Sequence, residues 1–217
     1  MATTLHEPPQ IDFPPNGGSG GYIPADGDLR MVRGNPVEPA KTGIWVAFAA
    51  ITMSFAALTS ALVVRQGTAL DWQHITLPPI LYFNTLILLI SSLTIELARR
   101  RMAAYARGFE TQIAEPMRWL TITFALGLFF VGGQYVAWLR LRDQGLNLAT
   151  NPSSSFFYVF TGVHALHVLG GICGLIYVID KLRRSVLHRG TFAAAAQYWH
   201  FMGLLWLYLL FVLITKL

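Results

Sequence analysis

Residues 156–179 read FFYVFTGVHALHVLGGICGLIYVI, a run without a single acidic or basic side chain apart from two histidines. An α-helix rises about 1.5 Å per residue, so a run of this length can cross the roughly 30 Å hydrocarbon core of a bilayer. The stretch therefore predicts a transmembrane helix.

Four further apolar runs of similar length flank this one, and only 12% of the residues are charged, about half the share of a soluble domain. The predicted spans are 44–64, 77–98, 119–139, 156–179 and 192–214. Pro78 and Pro79 open the second span, and Pro116 and Pro152 precede the third and fourth. The predicted fold class is an all-α integral membrane bundle of five transmembrane helices.

The distribution of positive charge predicts how the bundle is oriented. None of the 16 Lys and Arg residues lies within the five spans. Twelve lie in the N-terminal region, the second loop and the last loop, and four lie on the other side. The positive-inside rule then places the N-terminus in the cytoplasm and the C-terminus outside the cell membrane. The same distribution explains the net charge of +5 without nucleic acid as a partner.

The segment 1–42 differs in composition from the rest of the chain. It is rich in Pro and Gly and carries acidic and basic residues together. This composition predicts a mostly disordered cytoplasmic tail ahead of a membrane domain at 43–217. The single cysteine, Cys173, lies in an apolar run and is expected to be a small packing residue.

Polar side chains within the second and third spans predict seams between helices. Asn84, Thr85, Ser91 and Ser92 recur seven residues apart and so share one helix face. Such small and hydrogen-bonding residues are typical of helix–helix contacts in membranes. Gln134 accompanies Gly127, Gly132 and Gly133 in the third span, with Trp138 one turn later. Glu96, four residues before Arg100, is expected to form a surface ion pair rather than a proton relay.

The fourth span carries a stripe of histidine and glycine. His164, His167, Gly171 and Gly174 are spaced three, four and three residues apart, which places them on one helix face. Gly170 and Gly174 also form a G-x-x-x-G pair, so a neighbouring helix is expected to approach this face closely. We expect the imidazoles to form hydrogen bonds across that contact.

The fifth span supplies a third histidine. It contains Tyr198, Trp199 and His200, followed by Trp206. Two His separated by three residues, with a third from another helix, could form a zinc site, but no Cys, Asp or Glu lies beside them at membrane depth. For haem, His167 at about 18 Å and His200 at about 12 Å from the cytoplasmic helix ends match poorly in depth. Hydrogen bonding between helices is the favoured interpretation.

Four strings in these spans resemble the motifs of subunit III of the haem–copper oxidases. Residues 161–171 (TGVHALHVLGG) resemble its T-G-x-H-x-x-H-V-x-x-G signature, and residues 198–206 (YWHFMGLLW) its Y-W-H-F…W signature. Residues 84–92 resemble its N-T…S-S helix, and residues 134–138 its Q…W helix. The resemblance runs in order from about Gly43 to the C-terminus and is closest to the five-helix bacterial form.

The resemblance implies a non-catalytic subunit with no cofactor of its own. It implies docking on the catalytic subunit I, which holds the haems and copper, and on other oxidase subunits in the bacterial plasma membrane. It also implies bound phospholipid, protection of the catalytic subunit and support of proton uptake during aerobic electron transport. In the longer form of the family, the lipid cleft lies partly between two helices that the five-helix form lacks.

Two positions depart from the family pattern. Members usually carry a Glu midway along the first span, where this chain has Ile51, and an Asp in the fifth span, where it has Gly203. Both departures remove charge at membrane depth. They favour a structural and lipid-holding role over direct proton handling.

Other functions remain open from the sequence alone. A subunit III-like component of a quinol oxidase or a nitric oxide reductase would share these motifs. A small transporter would be expected to show an internal repeat, and none is evident. A cytochrome b-type electron carrier is disfavoured by the different depths of its candidate histidines.

Overall fold

The computed structural model describes residues 39–68, 72, 75–105, 114–148, 151–184 and 189–217. These residues form five α-helices and no strand. The helices are α1 (Pro39–Thr68), α2 (Ile80–Tyr105), α3 (Ala114–Asp143), α4 (Pro152–Arg183) and α5 (Arg189–Lys216). All five are long and apolar enough to cross a membrane, which confirms the predicted fold class. Most of the predicted tail, residues 1–38, lies outside the described residues.

The helix ends follow local sequence signals. Asn151 caps α4, accepting a hydrogen bond at 2.8 Å from the backbone N–H of Ser154, and Pro152 is the first helical residue. Pro78 and Pro79 precede α2, as expected. Pro116 lies inside the first turn of α3 rather than before it. The helices extend past the predicted spans at both ends, except that α2 begins at Ile80, after the two prolines.

Helices α2 to α5 form a closed ring in which each helix packs against the next and α5 packs back on α2. Helix α1 lies outside this ring, mainly against α5 and to a smaller extent against α4. Gln66 Nε2 donates to the backbone oxygen of Lys216 at 3.0 Å, so α1 and α5 end at the same side. The backbone N–H of Ile75 bonds to the backbone oxygen of Leu217 at 2.9 Å and fixes the α1–α2 connection there.

The outer surface of the ring is apolar, and its interior contains both apolar and polar side chains. Phe129 and Leu166 are each 68% exposed on the outside, whereas Asn84, Gln134 and His164 are buried. This distribution is the one expected of a bundle surrounded by lipid, where polar groups must find partners inside the protein. Which end of the bundle faces the cytoplasm stays a prediction of the charge distribution.

Candidate functional site

The polar face of α2 packs against the two tryptophans of α5. Trp199 Nε1 donates to Ser91 Oγ at 3.0 Å, and Trp206 Nε1 donates to Thr85 Oγ1 at 2.9 Å. Ser92 lies beside Gly203, where an added Cβ would be 3.3 Å from the serine oxygen. The predicted seam on α2 is therefore confirmed, and the indole N–H groups of α5 are its donors.

The same helix meets α3 through amides and hydroxyls. Asn84 Nδ2 donates to Gln134 Oε1 at a long 3.4 Å, and the Thr94 and Thr123 hydroxyls are 2.8 Å apart. A Cβ on Gly133 would come within 2.0 Å of Asn84 Oδ1. A larger residue at this position would force the buried Asn84 side chain to move, so the predicted packing role of the third-span glycines is confirmed at Gly133.

Helices α3 and α4 are joined near their outer ends, the ends that the charge distribution places outside the cell. Trp138 Nε1 donates to Thr161 Oγ1 at 2.9 Å. Tyr158 donates its hydroxyl hydrogen toward the backbone oxygens of Leu146 and Trp138, at 2.9 and 3.2 Å. The third-span motif residue Trp138 thus contacts the first residue of the fourth-span motif.

Trp199 occupies a slot that the sequence did not predict. A Cβ on Gly127 would lie 2.6 Å from its ring, and a Cβ on Gly171 would lie 3.1 Å from Tyr198 and 3.3 Å from Trp199. Its indole therefore lies between α3 and α4 while its N–H reaches Ser91 of α2. The sequence feature that could have predicted this packing is the pair of glycines, Gly127 and Gly171, at matching depth on neighbouring helices opposite a tryptophan.

The close approach on α4 occurs at Gly171 and not along the whole predicted stripe. Beside Gly170 the nearest atom to an added Cβ is the Tyr198 hydroxyl at 3.7 Å, and no described atom lies within 4 Å of a Cβ on Gly174. The prediction of a helix packed on the Gly170–Gly174 pair is wrong within the described part of this chain. The reason is that α5 reaches Gly170 only through the Tyr198 hydroxyl, at an ordinary contact distance, and no described side chain comes near Gly174.

His164 is fully buried in the centre of the ring. Its imidazole packs against Phe130 and Trp206, with ring centroids 6.0 and 5.2 Å away. Neither ring nitrogen has a hydrogen-bond partner among the described residues. The prediction of a hydrogen bond from His164 to another helix is therefore wrong, and its contacts are with aromatic rings.

His167 turns toward α1 instead. Its Nδ1 lies 2.8 Å from the backbone oxygen of Val163 in its own helix, and its ring centroid is 6.0 Å from that of Phe55. Tyr198 donates its hydroxyl hydrogen to the backbone oxygen of His167 at 3.0 Å. The interhelical bond at this position is thus made by a tyrosine and a backbone carbonyl, not by the imidazole.

His200 is partly buried within α5. Within the part of the chain that the structure describes, no group of three or more His, Cys, Asp or Glu could hold a metal ion. His164 faces Phe130 and Trp206, whereas His167 faces Phe55, so their side chains do not converge on one point.

The expected ion pair at the end of α2 is confirmed. Glu96 binds Arg99 at 2.7 Å and Arg100 at 3.1 Å, and both arginines are largely exposed.

At the two positions that depart from the family pattern, Ile51 is buried in the apolar core at 7% exposure, and Gly203 packs against Ser92. No carboxylate replaces the family's two acids at these positions.

These contacts define a class of protein. The five helices form a polytopic membrane bundle whose helices are held together by indole, hydroxyl and amide groups buried between them. Four of the residues that meet there, Thr85, Ser91, Trp199 and Trp206, lie in strings singled out from the sequence.

The comparisons with known proteins identify the family. The family model described as cytochrome c oxidase subunit III matches residues 44–215. Cytochrome c oxidase subunit 3 of Thermostichus vulcanus is 32% identical over 178 residues, which cover 77% of this chain and 82% of that protein. The chain belongs to the cytochrome c oxidase subunit III family and is a multi-pass protein of the plasma membrane.

Other relatives align over shorter segments. The probable cytochrome c oxidase subunit 3 of Mycobacterium tuberculosis is 34% identical over 132 residues, which cover 59% of this chain. The alignment spans 62% of the mycobacterial protein, less than two thirds of its length. Cytochrome c oxidase subunit 3 of Branchiostoma lanceolatum is 32% identical over 161 residues, with 69% of this chain and 57% of that protein covered.

Proposed function

We propose that this chain is the non-catalytic subunit III of a haem–copper oxidase of the cytochrome c oxidase type. It docks on the catalytic subunit, which holds the haems and copper, and it carries no redox cofactor itself. Family membership over residues 44–215 supports this proposal. The observation that carries it is that the four motif strings of the family bond to one another across the ring. Trp199 and Trp206 of the fifth span bond to Ser91 and Thr85 of the second, Asn84 bonds to Gln134 of the third, and Trp138 bonds to Thr161 of the fourth.

That network supports a mechanical role. Each indole of α5 bonds to α2, while the ring of Trp199 also packs on α3 and α4. The ring of four helices is therefore fixed by contacts that do not depend on solvent. A rigid subunit of this kind stabilises a larger partner by keeping its membrane-facing surface covered.

The proposed role in proton uptake is indirect. Ile51 and Gly203 stand where family members usually have acids, so neither position can exchange protons. Among the described residues, the least exposed acid is Glu96, at 25%, which pairs with two arginines at the end of α2. The chain therefore supports proton uptake by maintaining the structure of its partner and the lipid around it.

Co-purification tests the proposal. A tagged copy of the chain is extracted from its native membrane in mild detergent, and the bound polypeptides and haems are identified. We expect a large haem-bearing subunit to accompany the chain and its haem spectrum to disappear when the chain is separated from it. A haem spectrum in the separated chain, or solute flux by the purified chain in liposomes, would contradict the proposal.

A further inference from the structure

A pocket of about 250 Å³ lies where α3 ends and the chain turns into α4. The α3 side is formed by Tyr135, Trp138, Leu139 and Arg142, and the other side by the loop residues Asn147 and Leu148 with Tyr158 of α4. None of these residues except Trp138 belongs to the family motifs. We propose that this pocket binds the headgroup of an anionic phospholipid, with its phosphate on Arg142.

The loop that closes the pocket is fixed in place by hydrogen bonds. The backbone oxygen of Leu146 accepts from Tyr158 at 2.9 Å, and that of Asn147 accepts from Ser154 Oγ at 2.8 Å. The backbone oxygen of Leu148 accepts from Ser155. The turn itself uses Gly145 at φ +79°, a left-handed conformation that favours glycine. The pocket is therefore formed before any ligand enters, which reduces the entropic cost of binding.

The charge of the pocket favours an anion. Arg142 is exposed, and within the part of the chain that the structure describes it forms no ion pair with a carboxylate. Arg140, Arg142 and Asp143 leave this end of α3 with a net positive charge. A planar guanidinium binds a phosphate through two parallel hydrogen bonds, which makes phosphate its natural partner at a membrane surface.

The walls and position of the pocket favour a lipid over a free anion. Tyr135 and Arg142 are seven residues apart, about 10 Å along the helix, which is enough to cross the headgroup layer of one leaflet, roughly 5–8 Å thick. Leu139, Leu148 and the rings of Tyr135 and Trp138 present apolar surface below the guanidinium. The exposed surface of α3 then continues through Val136 and Phe129 toward the membrane centre, where an acyl chain can lie.

The size of the pocket sets how much of a lipid it holds. Complete small-molecule sites usually measure about 300–1,000 Å³, so this pocket accommodates a headgroup while the chains remain outside it. Within the described part of the chain, the pocket is lined only by residues of α3, α4 and the loop between them, whereas the lipid cleft implied by the family resemblance lies partly against two helices that the five-helix form lacks. The proposed site depends on the membrane location of the chain and not on the proposed oxidase role.

Photo-crosslinking with a phosphatidylglycerol that carries a photoactivatable acyl chain tests the proposal. The full chain is used in its native complex, in nanodiscs, with crosslinked peptides mapped by mass spectrometry. The variant is Arg142→Gln and its matched control is Arg140→Gln, which changes the neighbouring arginine outside the pocket. We expect crosslinks on the segment 128–148 that Arg142→Gln reduces about tenfold and that the control leaves unchanged.

Three results would overturn the proposal. The first is equal loss of crosslinking in both variants, which would indicate nonspecific charge. The second is equal labelling by a phosphatidylcholine probe, which would remove the preference for an anionic headgroup. The third is displacement by inorganic phosphate alone, which would assign the pocket to a free anion. A second variant, Leu148→Asn, retains Arg142 and is expected to weaken lipid labelling, and unchanged labelling would count against an amphiphile.

Discussion

The Nε1 of Trp199 donates a hydrogen bond to Ser91 Oγ at 3.0 Å across the α2–α5 contact. The two residues come from separate sequence motifs and are both buried. In a bilayer the indole N–H cannot find water, so it depends on the serine oxygen, whose own hydroxyl donates to the backbone oxygen of Leu88 at 2.7 Å. This contact ties the fifth span to the second and positions the indole between Gly127 and Gly171.

The Trp199–Ser91 bond is expected to contribute a measurable coupling energy. We predict that a double-mutant cycle with Trp199→Phe and Ser91→Ala gives about 0.5–1.5 kcal/mol, measured by unfolding in detergent. Trp45→Phe serves as the control because Trp45 is 65% exposed. Additive effects of the two substitutions would show that the bond contributes nothing to stability.

Glycine-to-alanine substitutions are expected to change stability differently at a packed position and at an open one. Gly133→Ala should destabilise the bundle by about 1–3 kcal/mol, because its Cβ would overlap the Asn84 side chain. Gly174→Ala should not destabilise the bundle and should stabilise it by up to about 1 kcal/mol, because no described atom lies near its Cβ and alanine is the better helix former. Thermal unfolding of both variants provides the comparison. Equal destabilisation would contradict the packing described for α3 and α4.

Substitution of the buried histidines is expected to affect the assembly and turnover lifetime of the oxidase more than its initial rate. We predict that His164→Leu or His167→Leu weakens assembly or shortens the turnover lifetime of the oxidase more than it lowers the initial rate. The reason is that both imidazoles pack against aromatic rings and neither lies in a metal-type cluster of the described residues. Oxygen-electrode traces provide both quantities. A lower initial rate with normal assembly and lifetime would count against this interpretation.

The ion pairs of Glu96 are expected to contribute little to the stability of the bundle. Arg99 and Arg100 are 55% and 73% exposed, so solvent and salt screen their attraction to the carboxylate. We predict that Glu96→Gln lowers stability by less than about 1 kcal/mol and that the difference shrinks at high salt. A loss of oxidase activity in this variant at normal stability would instead point to a role in proton transfer.

The N-terminal segment is expected to be dispensable for insertion. Deletion of residues 1–38 removes everything before α1 and leaves all five helices complete. We predict that the shortened chain still reaches the membrane, as judged by fractionation and alkaline extraction. Failure to insert would contradict the prediction of a disordered tail.

The spans and the seam on α2 could be predicted because bilayer thickness and hydrogen-bonding needs act on each helix separately. The ion pair of Glu96 was predictable for the same reason, since both partners lie on one helix. The surroundings of His164 could not be predicted, because spacing along α4 identifies a shared face but not the helix that covers it. Gly171 and Gly174 look alike in sequence, and only the position of α5 decides which of them is packed.

The most direct test of the account is to delete this chain and follow the oxidase through repeated turnover. We predict that membranes lacking the chain retain the haem and copper spectra and near-normal initial oxygen consumption, and that this activity then decays faster than in the complemented strain. Absence of oxygen reduction from the first turnover, with the catalytic subunit fully assembled and loaded with haem, would contradict a non-catalytic role.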